Sequence, residues 1–340
     1  MQDTMIKRRR LLQACGAAAL GAPLLNRPAR AAAQHVFKIG HDVAGNHPMH
    51  LRLQEAADRI AKETQGRFEL RIFPNNQLGG DSDMLAQVRS GSLEMAMSPD
   101  VVLSTLVPMA SISGVGFAFA EYGDVWKAMD GDLGALVRKH IAKVNLQVMD
   151  RIWDNGFRQV TSTGKPITRP ADLHGMKIRV PSSQMWISMF KALGAAPTAM
   201  NSSEIYPSLQ TRVVEGQENP LINIFTQKYY EVQKYCSLTN HMWGGFWVVM
   251  NSRAWSAVPK DIQEIVSRHI NQSAMDQRTD IAKMGTSLQD TLTGKGMVFN
   301  STAPTAFREA LAKAGYYNEW KKKFGDENWA VLARYSSGVA

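Results

Sequence analysis

Cysteine is nearly missing from this 340-residue chain, which has only Cys15 and Cys236. Cys15 falls inside what reads as a removable leader, so Cys236 is left alone and an internal disulfide is excluded. No run of ~20 apolar residues occurs, so no membrane-spanning helix is expected. There is no P-loop and no G-x-S-x-G, and Gly114-Val-Gly116 lacks the third glycine and following helix of a dinucleotide loop. His41, Asp42, His47 and His50 lie close together without the i, i+4 pair or Cys/His spacing of a metal centre. They read as a strand end and a helix cap. Cys236 and His241 can be paired on paper as nucleophile and base, but a lone cysteine in "KYCSLTN" is more often a small core residue. These residues propose no cofactor, no metal and no enzyme.

Excess charge is also scarce once the N-terminus is set aside. "KRRR" at Lys7 to Arg10 precedes an alanine-rich, mildly apolar run and then "ARAAAQ", with small residues at −3 and −1 of a cut after Ala33. That is the layout of an export signal. Arg8-Arg9-Arg10-Leu11-Leu12 fits the twin-arginine pattern, and an ordinary Sec signal with a rich basic end fits as well. Lipidation at Cys15 is rejected, because almost no apolar region lies between it and the arginines. Six basic residues against Asp3 put +5 in residues 1–33, so about +4 of the chain's +9 remains. A charge that small removes the reason to expect nucleic acid as a partner.

What is there reads as two α/β halves. "HVFKIGHD", "RFELRIF" and "LEMAMS" are strands, separated by helices at "NHPMHLRLQEAADRIAKETQG" and from about Asp81 to Ser90. The order β-α-β-α-β predicts a largely parallel sheet with helices on its faces. The pattern repeats with "LQVMDRIW" and "MKIRVP" as strands and a helix opened by Ser182. A capping box follows at Asn201 to Glu204, and "VVEGQENP" is a strand with Asn219 held extended by Pro220. "GGFWVVMNS" is a late strand. From Pro259 to about Thr293 the only glycine is Gly285, and a helix of that length would span ~50 Å, enough to brace both halves. "APTAFREALAKAGYYNEWKKKFG" reads as one more amphipathic helix, with a loosely packed tail after it.

"MKIRVP" poses the functional question. Met176, Ile178 and Val180 alternate onto one face, which leaves Lys177 and Arg179 on the other. A guanidinium cannot shed its proton, so if buried it needs a partner. From the strand alone, an exposed ion pair and a ligand site both remain open.

Longer stretches carry a resemblance. "FPNNQLGGDSDMLAQVRSGSLEMAM", "NGFRQVTSTGKPITRPADLHGMKIRVP", "KALGAAPTAM", "SEIYPSLQTRVVEGQENPLINI" and "QKYYEVQKYCSLTNH" run in order, with "PKDIQEIV" after them. Together they resemble the solute-binding proteins of tripartite ATP-independent periplasmic (TRAP) transporters, DctP type. The resemblance implies an α/β, two-domain periplasmic solute-binding fold: mixed sheets flanked by helices, hinge strands and a long domain-bridging helix. It implies domain I at 34–155 plus about 244–283, domain II at about 156–243 plus 284–340, and a ligand cleft between them. It implies a monomeric periplasmic receptor, not an enzyme, that binds a small organic acid and passes it to membrane permease subunits. A sensor subunit that presents ligand to a membrane kinase is an alternative.

Residue by residue, the resemblance implies that Arg179 pairs with the ligand carboxylate, that Arg158 supports it, and that Asn219 hydrogen-bonds the acid. From the strand pattern alone Arg158 can also pair with Asp154 or Glu218, and Asn219 can simply shape the turn. Asp42 and His47 would reach the ligand's distal end. Where sugar-acid members carry an acidic residue after the "SLEMAM" strand, this chain has Pro99. Where they carry an aromatic it has Asn201-Ser202. With Trp153, Trp243, Phe246 and Trp247 nearby, Trp153, Asn201 and Phe246 join the expected site. The expected ligand is a monocarboxylate with an apolar or aromatic body, such as a 2-oxo or 2-hydroxy acid. A sugar-acid or C4-dicarboxylate receptor is the alternative.

Overall fold

Alternation and helix punctuation fix the first half as expected. The computed structural model describes residues 33–336, 338 and 339; the expected leader and Cys15 lie outside the described residues, Ala33 excepted. The strands are β1 (His35–Gly40), β2 (Phe68–Phe73), β3 (Met95–Pro99), β4 (Leu146–Val148), β5 (Trp153–Ser162), β6 (Lys177–Val180), β7 (Ala196–Ala199), β8 (Gly216–Pro220), β9 (Tyr235–Leu238), β10 (Trp243–Asn251) and β11 (Val298–Ser301). β1 pairs in parallel with β2 and β3, with the helices Pro48–Glu63 and Asp81–Ser90 as the crossovers. The sheet order is β2-β1-β3-β10-β5-β8-β6-β7, with β4 on β10, and β9 linking β5 to β11. Its parallel ladders lie towards the two ends. Antiparallel β10 and β5 join them in the middle. This is the expected α/β class, with one mixed sheet flanked by helices.

The long helix runs from Lys260 to Gly294 with a kink at Gly285. Before the kink, Val266, Ile270 and Ala274 pack with Leu53, Ala57 and Ile60 of the first half. Beyond it, Leu288 meets Ile222, and Leu292 joins Ile205 and Ile224 of the second. Among the described residues no helix is long and apolar enough to cross a membrane.

Several local expectations are corrected. "LQVMDRIW" is two strands, because β4 and β5 pair with opposite ends of β10. The long helix satisfies the backbone at the break: Arg278 donates to the Ile152 carbonyl (2.7 and 3.1 Å), and Gln277 exchanges two hydrogen bonds with the Asp154 backbone (2.8 and 3.0 Å). Ser183, not Ser182, caps the helix Gln184–Ala192. The C-terminal segment is three helices, Pro304–Lys313, Tyr316–Phe324 and Asp326–Ala333. The tail is not loose, because Trp329 and Leu332 are buried. They complete a core that also holds Val101 and Val137 from the first half with Trp186 and Phe190 from the second. The largest apolar core is therefore shared between the halves.

Candidate functional site

The junction of β5 and β10 makes the floor of a narrow cavity. The register between them shifts at Gly244/Gly245, so Asn155 is an extra residue on β5 and its side chain lines the cavity. The next residue, Gly156, has φ +115°, and a Cβ there would press on Pro220 at 3.3 Å; only glycine suits the bulge. The free space in this cavity is only about 30 Å³, far below the range for ligand sites, so a ligand requires the cleft to open. Among the described residues no group of three His, Cys, Asp or Glu side chains is arranged to hold a metal ion.

Arg179 enters from β6. It is 3% exposed and lines the cavity. Its Nε and one Nη donate to the Met200 carbonyl (3.1 and 2.8 Å). A guanidinium has five N–H donors, so three remain, and no carboxylate of the described residues lies within 4 Å of it. Burial lowers its pKa from the ordinary arginine value, but an arginine keeps its charge. A buried guanidinium with three free donors and no carboxylate in contact is open to two oxygens of a bound anion.

Arg158, on β5, is a different case. Its guanidinium grips both oxygens of Glu218, Nε to Oε2 and Nη2 to Oε1 (2.9 Å). Of the alternatives open in the sequence, the pair with Glu218 is the one formed; Asp154 instead accepts from Trp243 Nε1 at 2.9 Å. His241 Nε2 stands 3.1 Å from Glu218 Oε2, and Trp186 Nε1 donates to the same oxygen at 3.4 Å. Burial alone would raise Glu218, but Arg158 and His241 outweigh it and hold the carboxyl down to about 2. Arg158 still reaches the cavity and donates to Asn219 Oδ1 at 3.2 Å.

Asn219 sits in a one-way chain of donors. His47 Nδ1 accepts from Met49 N–H (3.1 Å), so in the neutral ring the proton is on Nε2, which donates to Asn223 Oδ1 at 3.0 Å. Burial holds His47 down to about 4, so the ring is neutral at pH 7. Asn223 Nδ2 donates to Asn219 Oδ1 (3.3 Å) and Asn155 Oδ1 (3.1 Å), and Asn219 Nδ2 donates to Gln217 Oε1 (2.6 Å). His47 thus lies one step behind the cavity, not on it, and acts there through Asn223.

The opposite wall carries two carboxyls. Asp42 and Asp81 line the cavity, are 8% and 6% exposed, and each has an Oδ1 buried without a partner. Ser202, from the second half, donates to Asp81 Oδ2 at 3.2 Å and accepts from Asn76 Nδ2 at 3.2 Å. Gln227 donates across the cavity to the Asp42 carbonyl at 3.2 Å. Burial first, then the neighbouring Asp81, push the Asp42 carboxyl well above the usual range. Burial raises Asp81 too, and Arg179 pulls it back.

Besides His47, two expected site residues do not line the cavity. Trp153 is fully buried in the first-half core and does not line the cavity; it lies opposite Phe246 in the ladder, and Phe246 is the ring that reaches inside. Asn201 stops at the rim. Its N–H donates to Glu204 Oε2 (2.8 Å), and its side chain lies so close to Gly80 that a Cβ there would come within 2.8 Å of its Cγ. The next residue, Ser202, takes the inward place. Trp243 and Trp247 are core residues as well, so the aromatic rings left on the cavity are Phe246, beside Pro99, and Tyr229. Cys236 is buried, as a core residue should be.

Asp81, Asn155, Asn223 and Tyr229 line the cavity without having been singled out. Asn223 had a signal, as the one amide in the apolar run "LINIF" after Pro220. Asp81 was hidden by its other role at a helix start.

Geometry of this kind belongs to a clamp for a small anion. Residues 39–332 match the model of the bacterial extracellular solute-binding proteins, family 7 (DctP), and the chain belongs to that family. It is a TRAP-type solute-binding protein with the two-domain α/β fold. The 2,3-diketo-L-gulonate-binding periplasmic protein YiaO of Escherichia coli (strain K12) is 31% identical, over 81% of this chain and 84% of its own. A TRAP periplasmic solute-binding protein of Sulfurospirillum deleyianum with bound succinate superimposes with TM-score 0.83 at 29% identity, covering 90% of this chain and 99% of that one. One from Polaromonas sp. JS666 bound to D-erythronate gives TM-score 0.84 at 28%, covering 88% and 98%. The chain spans 48% of the length of the uncharacterized protein y4mM of Sinorhizobium fredii, to which it is 36% identical over 76% of its own residues.

Proposed function

We propose that this chain is a monomeric, extracytoplasmic receptor that clamps a small polyhydroxylated organic acid and delivers it to a TRAP membrane permease. The observation that carries the reading is Arg179: a buried guanidinium that lines the cavity with three donors unused and no carboxylate within 4 Å. Two carboxylate oxygens match that fork, and the closed cavity strengthens the pair relative to water. Arg158 and Asn219 lie within reach of the same carboxylate. Asp42, Asp81, Ser202 and Tyr229 supply polar partners for hydroxyls, while Phe246 and Pro99 take a C–H face. Domain I is assigned to 34–155 plus about 244–283 and domain II to 156–243 plus 284–340, with the cavity between them and β5 and β10 as the hinge.

The acid with an aromatic body loses its support along with Trp153, Trp243 and Trp247. A polar wall favours a sugar acid, in line with relatives that bind 2,3-diketo-L-gulonate or D-erythronate. A C4 dicarboxylate fits the arginine equally well, but its second carboxylate would face Asp42 and Asp81 instead of a cation.

A thermal-shift screen of the full chain and of Arg179→Ala tests this, using D-erythronate, 2,3-diketo-L-gulonate, succinate and phenylpyruvate. A ligand at 100 times its Kd adds ~2.7 kcal/mol. Polyhydroxy acids are expected to stabilise the parent and leave Arg179→Ala unmoved. Stabilisation by phenylpyruvate alone overturns the ligand class, and an equal response of the variant overturns the role of Arg179.

A further inference from the structure

The cavity contains more negative charge than its arginines balance. Arg158 is matched by Glu218, which leaves Arg179 facing both Asp42 and Asp81. Tyr229 faces the same space as a neutral phenol, since burial raises its pKa further. His41 and His47, behind Asp42, are held neutral by burial, His50 is pushed the same way, and Asp83 on the Asp81 helix faces solvent. A bound carboxylate on Arg179 would put three anions beside one free cation in a closed space.

Hydrogen bonding does not relieve this. Ser202 has one proton, and it goes to Asp81 Oδ2. Oδ1 of each aspartate is buried without a donor, an arrangement that favours a protonated acid over two carboxylates. Ser202 donates to Asp81 and Arg179 pulls that carboxyl down, so Asp81 is the better stabilised anion of the two. Asp42 is therefore the member of the pair that gives way.

We propose that the cleft takes up one proton with each ligand anion and holds it on the Asp42 carboxyl. This rests on the receptor reading above, with opening of the cleft exposing Asp42 to water. There it titrates as an ordinary carboxylate, at about 4. Closure transfers a proton from solvent to Asp42 and converts its carboxylate to a carboxylic acid. The new O–H supplies a donor to an oxygen that has none, Asp81 Oδ1 or a ligand oxygen. Because the closed-state carboxyl is the weaker acid, the gain in binding is complete below the open-state value and is lost as pH rises through the closed-state value. Between the two, affinity falls about tenfold per pH unit.

Calorimetric titration of the full chain with D-erythronate, 2,3-diketo-L-gulonate and succinate tests this from pH 5 to 9, in buffers of different ionisation enthalpy. Uptake approaching one proton per ligand is expected between the open-state and closed-state values, with Kd rising up to about tenfold per pH unit there. Asp42→Asn, a permanently neutral mimic, is expected to bind with little pH dependence and no proton uptake. Binding by the parent with no uptake and a flat pH profile overturns the proposal while the receptor reading stands. An affinity that follows sodium or calcium concentration instead of pH overturns it in favour of a cation at the unpartnered oxygens. If none of the three acids binds at any pH, the receptor reading fails and the proposal with it.

Discussion

Two buried arginines stand in the same half of the molecule, and their surroundings are opposite. Arg158 on β5 is enclosed by Glu218, with His241 and Trp186 completing the carboxylate's partners. Arg179 on β6 has one carbonyl, that of Met200. Both line the cavity and both are almost wholly buried. A paired arginine keeps its position with or without a ligand, whereas an unpaired one is a cost to the fold that binding can relieve. Burial alone does not separate a structural charge from a binding charge. Whether a carboxylate already grips the guanidinium does.

The largest expected effect tests that contrast directly. Arg158→Met leaves Glu218 as a buried carboxylate with only His241 and Trp186 beside it, a loss of roughly 3–5 kcal/mol. Replacing Glu218 by leucine in the same chain should recover most of it. Arg179→Met removes a cation with no carboxylate within 4 Å, so its stability loss in urea should be clearly smaller although its ligand binding is lost. Denaturation midpoints in the reverse order would break the comparison.

The pH dependence of Glu218 sharpens it. Its carboxyl is held down to about 2, below the ordinary 4.5. A depressed carboxylate stabilises the fold above its unfolded value, and that stability is lost as pH falls through the folded value. The gap corresponds to about 3 kcal/mol. The stability difference between the parent and Glu218→Gln should therefore be full near pH 5 and shrink towards pH 2. A difference that stays constant across that window would mean that Arg158 does not hold Glu218 ionised.

The fold was largely legible, because period-2 strands, helix stops and a long stretch almost free of glycine are local signals. What local signals missed was set by distant partners. The break between β4 and β5 exists because Arg278 and Gln277 satisfy its backbone from more than 120 residues away. Residue order alone could not show whether Asn201 or Ser202 faces inward, because that depends on how closely the chain approaches Gly80. Tryptophans in "RIWDN" and "MWGGFW" read equally well as wall or core, and packing put all three in the core. Arg179 was found through resemblance. The strand alone left it ambiguous until its unused donors could be counted.

The smallest effect concerns the link between the halves. His47 does two things with two nitrogens: Nδ1 caps the helix Pro48–Glu63, and Nε2 reaches Asn223 from behind the cavity. Asparagine is a good N-cap but is too short for the second task. His47→Asn should therefore keep the helix and the unliganded stability while leaving Asn223 Oδ1 without its donor in the closed form. An unsatisfied buried oxygen costs about 1–3 kcal/mol. Water in the rearranged cleft recovers part of that, so a five- to tenfold rise in Kd is the expected result, about 1 kcal/mol. His47→Ala should lose stability as well, because the cap goes with the link. Unchanged affinity in His47→Asn would mean that Asn219 and Asn155 are oriented from their own strands, with no help from the first half.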